Sequence, residues 1–139
     1  MNILILCTGN SCRSQMAEGF LKAFDKKFNV FSAGTKPSKI VHPNAIKVMA
    51  ELGVDINENY PKNISLFLDK AFDYVITVCG SAKENCPVFI GEVRHRLHIG
   101  FEDPDSLIGT NESILLEFRR IRDEILRDFF AFYQKNKNN

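Results

Sequence analysis

The chain has 139 residues, enough for one compact domain, 1–139, whose core needs no disulfide staples. Eighteen basic residues against seventeen acidic ones leave a formal net charge of +1. That excludes a global attraction to nucleic acid or to an anionic membrane and makes any anion site local. The apolar run Ile3 to Cys7 is too short to span a bilayer or to act as a signal peptide. The expected compartment is therefore the cytoplasm, where four cysteines point to catalysis, redox chemistry or metal more than to structural bridges.

Asn2 to Leu6 reads as a buried strand. It ends in a small polar turn, Cys7 to Arg13, after which Met16, Ala17, Phe20, Leu21 and Phe24 recur at helical spacing. Val30 to Ala33 reads as a second strand, closed by Gly34. Beyond a loop with Pro37, Pro43 suits the first turn of a helix. Ala45, Ile46, Val48, Met49 and Leu52 give that helix its apolar face, and Gly53 stops it at C′. Ile64 to Lys70 predicts a short helix, Tyr74 to Val78 a third strand ending at Cys79, and Arg94 to Ile99 a fourth, weaker strand. Glu112 to about Gln134 predicts a long amphipathic helix with Phe118, Ile121, Ile125 and Phe129 on one face, and the polar tail Lys135 to Asn139 is expected to fray. Alternating strands and helices define an α/β fold: a single-domain four-stranded parallel sheet with helices on both faces. Ligands bind such sheets at the carboxyl ends of strands, where Cys7 and Cys79 both fall.

Between the first strand and its helix, Cys7 and Arg13 are separated by five residues and followed by Ser14. A loop entering a helix N-terminus directs several backbone N–H groups at one spot, and the helix dipole favours negative charge there. A tetrahedral oxyanion fits the nest formed by Thr8, Gly9, Asn10, Ser11, Cys12 and Arg13, with the Arg13 guanidinium as a planar clamp. The same field should lower the pKa of Cys7, and Ser14 can donate to its thiolate. Gly9 offers a position free of side-chain clash. Cys12 reads as a packed residue inside the loop.

The run from Cys7 to Gly19, Cys-Thr-Gly-Asn-Ser-Cys-Arg-Ser-Gln-Met-Ala-Glu-Gly, resembles the signature of thioredoxin-coupled arsenate reductases, which share the fold of low-molecular-weight protein tyrosine phosphatases. The likeness continues through Ser32-Ala33-Gly34, Val75 to Cys79, Asn85-Cys86-Pro87, Gly100 to Pro104 and Arg119 to Ile125, nearly the whole chain. It implies a flavodoxin-like three-layer sandwich, arsenate as substrate with phosphate or sulfate as competing anions, and arsenic detoxification as the outcome. Thioredoxin is the implied external electron donor, with no tightly bound cofactor. It also implies a general acid at Asp103, which on sequence alone is an Asp-Pro turn signal. Some relatives bind potassium behind the loop. Asn10, Glu18 and Ser32 match three of its ligands, but Lys62 stands where they have an Asp. We therefore expect no metal there and little or no potassium activation; the Lys62 ammonium either takes the ion's place beside Glu18 or is a solvated surface residue.

A phosphatase needs one cysteine, whereas this chain adds Cys79 and Cys86. Neighbouring strand ends lie about 4.8 Å apart, within reach of a disulfide's Cα separation after modest movement, so Cys79 can attack Cys7. Were Gly80 to Cys86 helical, Cys79 and Cys86 would stand about 10 Å apart, too far for a bond. That segment is therefore expected to be helical when reduced and looped when oxidised, with Gly80, Asn85 and Pro87 easing the change. The resulting relay has a transient Cys7–Cys79 disulfide and a Cys79–Cys86 product. Two buried core cysteines, or a zinc site for which the spacing is long, are the plainer readings. The alternative enzyme is a tyrosine phosphatase of the same fold, although Asp105-Ser106-Leu107 lacks the aromatic residues those carry after Asp-Pro. A thiol redox sensor is the non-enzymatic alternative. His42, His95 and His98 need no catalytic role, Arg94 to Arg96 reads as a solvated edge, and a monomer is the default state.

Overall fold

The structure, a computed structural model, describes residues 1–138. Strands β1 (Asn2–Cys7), β2 (Asn29–Gly34), β3 (Phe72–Thr77) and β4 (Val93–His98) form one sheet in the order β2-β1-β3-β4, with every neighbour parallel. Parallel neighbours need crossovers, and helices α1 (Arg13–Phe24), α2 (Pro43–Ala50) and α3 (Gly80–Glu84) lie in the three connections, with α4 (Asn111–Asn136) after the last strand. The expected α/β fold, a four-stranded parallel sheet with helices on both faces, is the one observed.

β1 is aliphatic because it is buried on both sides: Ile3 and Ile5 point one way, Leu4 and Leu6 the other, and all four are 0% exposed. Ile3 shares its row with Tyr74, whose ring meets Phe132 of α4 edge-on, so α4 covers that face. Phe24 of α1 packs on Phe130 and Tyr133 beside it. Leu4 shares its row with Phe31, Val75 and Arg96, and Phe31 meets Phe67, so the segments on either side of β3, residues 64–71 and 78–92 with α3, cover the second face. The strand order reverses between β1 and β3, which opens a crevice at their carboxyl ends.

Three expectations need correction. The helix expected over Ile64 to Lys70 is only a 3-10 turn, Ile64–Leu66, capped by Asn63 Oδ1 on the Ser65 N–H. Phe67 is pulled into the core against Phe31 and Phe72, and the chain must then turn to feed β3, which leaves no room for a second helical turn. Leu52 lies beyond α2 and is exposed rather than part of its apolar face. The N–H groups of Gly53 and Val54 bond back to Ala50 and Met49, and Gly53 takes the left-handed φ of 77° that such an ending requires. The tail is also not frayed from Lys135: α4 continues to Asn136, where the Tyr74 hydroxyl donates to Asn136 Oδ1 at 2.9 Å and Asn136 donates to the Phe132 carbonyl. Asn139 lies outside the described residues. Among those residues, no helix is long and apolar enough to cross a membrane.

Candidate active site

β1 delivers Cys7 to the crevice, and the chain turns through residues 8–12 into α1. The carbonyls of this turn are all engaged by the chain outside it. Cys7, Thr8, Gly9 and Ser11 accept from the N–H groups of Thr35, Lys36, Ser38 and His42, and Cys12 from Met16. Asn10 O accepts from Gln15 Nε2. In a trans peptide the next N–H points opposite to the carbonyl. Carbonyls held outward therefore turn the loop's N–H groups inward, onto one concave face.

Asn10 is the keystone. It is 0% exposed and adopts φ 52°, a left-handed conformation that Asn tolerates better than most residues. Its side-chain amide donates to Ser14 Oγ at 2.8 Å and Ser32 Oγ at 2.9 Å, and its oxygen accepts the Lys62 N–H at 2.9 Å. Gly34, at the end of β2, lies so close that a Cβ there would overlap the Thr8 carbonyl and crowd Asn10. Gly9, singled out on sequence, is less constrained: a Cβ there would meet only the Ser38 hydroxyl.

The loop encloses a cavity of about 220 Å³ lined by Cys7, Thr8, Gly9, Ser11, Cys12 and Arg13, together with Lys36, Ser38, Asp103 and Asp105. Arg13 Nη1 donates to the Phe101 carbonyl at 3.1 Å, and Nη2 stands 3.7 Å from the Asp103 carboxylate. Its Nε is buried with no partner among the described residues, a donor that an incoming oxyanion would satisfy. Asp103 caps the turn Pro104–Ser106 by accepting the Asp105 N–H at 3.0 Å, and its carboxylate stays partly exposed at the cavity mouth. His42 Nε2 pairs with Asp105 at 3.1 Å while its Nδ1 caps α2 through the Asn44 N–H, so His42 ties the Asp103 turn to the scaffold.

Cys7 and Cys79 are free, buried thiols, and each is the largest influence on the other's proton. Cys79 Sγ sits at the N-cap of α3. The Thr8 hydroxyl lies 3.3 Å from that sulfur and the Ala82 N–H 3.4 Å. With these donors and Arg13 nearby, Cys79 is brought down to about 5, the Cys7 thiol being the largest cause. Cys7 is raised by Cys79 and by burial, which outweigh Arg13. The expected lowering of Cys7 thus falls on its neighbour, chiefly through the Cys7 thiol itself, with Thr8 and the Ala82 N–H adding to it. Near neutral pH the two sulfurs share one proton. Thiolate absorbance of a reduced Cys12→Ser, Cys86→Ser protein should therefore appear as pH rises through about 5 and be lost below it. In a Cys7→Ala variant, which lacks the S–H donor, that step should move upward. An unmoved step would reject the shared proton.

Burial pushes Cys12 up to about 12, so its thiol stays neutral near neutral pH. Ser14 is buried, and its hydroxyl oxygen accepts from the Asn10 side-chain amide at 2.8 Å. Cys86 is half-buried, with its S–H on the Pro87 carbonyl at 3.6 Å. α3 stops at Glu84, two residues short of Cys86, and the Ser81 carbonyl there accepts both the backbone N–H and the side-chain amide of Asn85.

The Lys62 expectation needs correction. Its ammonium donates to the Tyr60 carbonyl at 2.8 Å and sits over the Tyr60 ring, and no Lys62–Glu18 ion pair occurs among the described residues. Glu18 is instead paired with Lys22 at 3.0 Å and accepts from Ser32 and Asn59. With Asn10 Oδ1 already accepting the Lys62 N–H, the oxygens of this cluster are turned toward protein donors, and the residues present do not fit a potassium ion. Potassium in place of sodium should leave the melting temperature and turnover unchanged. A selective rise with potassium would contradict this.

Sequence reasoning missed Lys36, Ser38 and Asp105 on the cavity wall, Thr8 beside Cys79, and the close approach at Gly34. Only Gly34 carried a readable signal, a glycine at the end of a strand.

A parallel α/β sheet with a cysteine-to-arginine anion cradle at its switch point defines a class of oxyanion-handling thiol proteins. Residues 2–138 match the low molecular weight phosphotyrosine protein phosphatase family, and the chain belongs to it. It is 43% identical over 136 residues to an arsenate reductase of Halalkalibacterium halodurans, covering 97% of this chain and 96% of that one. A solved arsenate reductase in the phosphate binding state superposes with a TM-score of 0.79 at 34% identity, covering 96% and 97% of the two chains. A thioredoxin-dependent arsenate reductase of Corynebacterium glutamicum matches with a TM-score of 0.58 at 28% identity over 94% of this chain and 62% of that one.

Proposed function

We propose that this protein reduces arsenate to arsenite through a relay of Cys7, Cys79 and Cys86, with thioredoxin as the reductant. The observation that carries the reading is a second buried thiol, Cys79, whose sulfur lies 3.3 Å from the Thr8 hydroxyl of the anion cradle and whose proton is linked to that of Cys7, where a phosphatase needs only one cysteine. The relatives at 43% identity and above, and the solved structures at about a third identity, are arsenate reductases, and one neighbour is thioredoxin-dependent.

The oxyanion rests on the inward N–H groups and on Arg13, whose unpartnered Nε takes one of its oxygens. Cys7 passes its proton to Cys79 and attacks arsenic as a thiolate, with Ser14 donating to the sulfur. Asp103 protonates the departing oxygen, which leaves as water. Cys79, giving up its proton to an oxygen of the departing arsenite, then attacks Cys7 Sγ. The S–As bond breaks toward arsenic, As(V) becomes As(III), and the two thiols become a disulfide. Cys86 attacks Cys79, Cys7 leaves as a thiolate, and the Cys79–Cys86 bond passes to the external dithiol. Unwinding the single short helix α3 lets Cys86 approach.

The test is arsenate turnover coupled to thioredoxin, its reductase and NADPH. Cys79→Ser and Cys86→Ser should stop NADPH loss while retaining hydrolysis of a small phosphate ester, and Cys7→Ser should abolish both. Normal arsenate turnover in either of the first two variants would sink the relay. Weak phosphatase activity is the expected side reaction, since the cradle accepts either tetrahedral anion. A cytoplasmic monomer is part of the same proposal.

A further inference from the structure

The relay needs Cys86 as a thiolate, yet burial pushes this thiol up. Cys86 borders a cavity of about 400 Å³ that also touches Val75, Thr77, Lys83, Arg96 and His98. Val75 pairs across the sheet with Arg96, and Thr77 with His98, so these side chains rise from one face beneath the α3–Cys86 stretch. The Arg96 guanidinium stacks over the ring of buried Phe89, 5.5 Å from its centroid, which fixes the plane of an otherwise exposed side chain. Arg96 and Cys86 line the same cavity, where the guanidinium's charge and N–H groups favour the thiolate. The charged or titratable groups facing Cys86 are Lys83 from α3 and Arg96 and His98 from β4, and no carboxylate lines the cavity. His98 is engaged with the Thr77 hydroxyl at 2.8 Å.

We propose that Arg96 is the positioning residue of the third cysteine: braced on Phe89, it holds Cys86 Sγ as the thiolate that attacks Cys79. The proposal rests on the relay reading. In the step it serves, Cys86 first loses its proton to solvent. The Cys86–Cys79 bond forms, the Cys79–Cys7 bond breaks, and its electron pair leaves on Cys7, so the exchange is redox-neutral and needs no further reactant. Arg96 opposes the effect of burial through both its charge and its N–H groups. Because Arg96 lies on the exposed edge strand, its replacement leaves the core intact.

The test isolates Cys86 in a Cys7→Ser, Cys12→Ser, Cys79→Ser chain and follows iodoacetamide alkylation against pH. Arg96→Leu should raise the alkylation midpoint and slow the reaction about tenfold at neutral pH, and Arg96→Lys should recover part of the loss. In the otherwise native chain, Arg96→Leu should slow thioredoxin-coupled arsenate turnover while phosphate-ester hydrolysis is unchanged. An unmoved midpoint in Arg96→Leu overturns the assignment with the relay intact. Normal arsenate turnover by Cys86→Ser ends the relay, and the role of Arg96 with it, whatever the alkylation shows.

Discussion

Arg13→Lys should lower kcat/KM for arsenate by about 10²–10³-fold while the far-ultraviolet circular dichroism stays native. Lysine keeps the charge but not the fork. Nη1 holds the Phe101 carbonyl and Nη2 faces Asp103, so the guanidinium plane is oriented from its far side and Nε is left for the substrate. A lysine ammonium would have to serve the carbonyl and the oxyanion with one nitrogen. A kcat/KM within tenfold of the wild type would mean that the backbone N–H groups alone carry the anion, and the clamp would be withdrawn.

Asn10→Ala should cost roughly 3–5 kcal/mol of stability, read from urea unfolding at constant slope. The substitution removes three side-chain hydrogen bonds from a fully buried site and leaves the Lys62 N–H without its acceptor. It also places a Cβ-bearing residue with no compensating bonds at φ 52°. Asn10→Gly separates the two causes: it relieves the backbone and keeps the loss of bonds, so it should destabilise less than alanine. If alanine costs under about 1 kcal/mol, the loop is held from elsewhere, and the outward carbonyl bonds to residues 35–42 are the first place to look.

The sheet, its four strands and the long last helix were legible because their apolar periods are strong: β1 is a continuous aliphatic run, and α4 repeats Phe118, Ile121, Ile125 and Phe129 on one face. The cradle was legible because its chemistry is local, Cys7 to Arg13 within one turn. What the sequence hid is non-local. Thr8 beside Cys79 and Tyr74 on Asn136 join residues whose partners no spacing rule predicts, whereas the i,i+4 pair of Glu18 and Lys22 on α1 was readable. The direction of the Cys7 shift failed for the same reason, since a dipole argument made on one loop cannot see a competing sulfur that arrives 72 positions later.

The outward-held carbonyls of the loop have a consequence for selectivity. Since the ring of amides is locked by the fold itself, no ordering entropy is left to be spent when a guest arrives, and tetrahedral anions of similar size will dock with similar ease. Discrimination between arsenic and phosphorus then falls to the step after docking, where only an atom that can accept two electrons from sulfur goes forward. Phosphate held in the cradle would then compete with arsenate for the site and would make the native state the more stable.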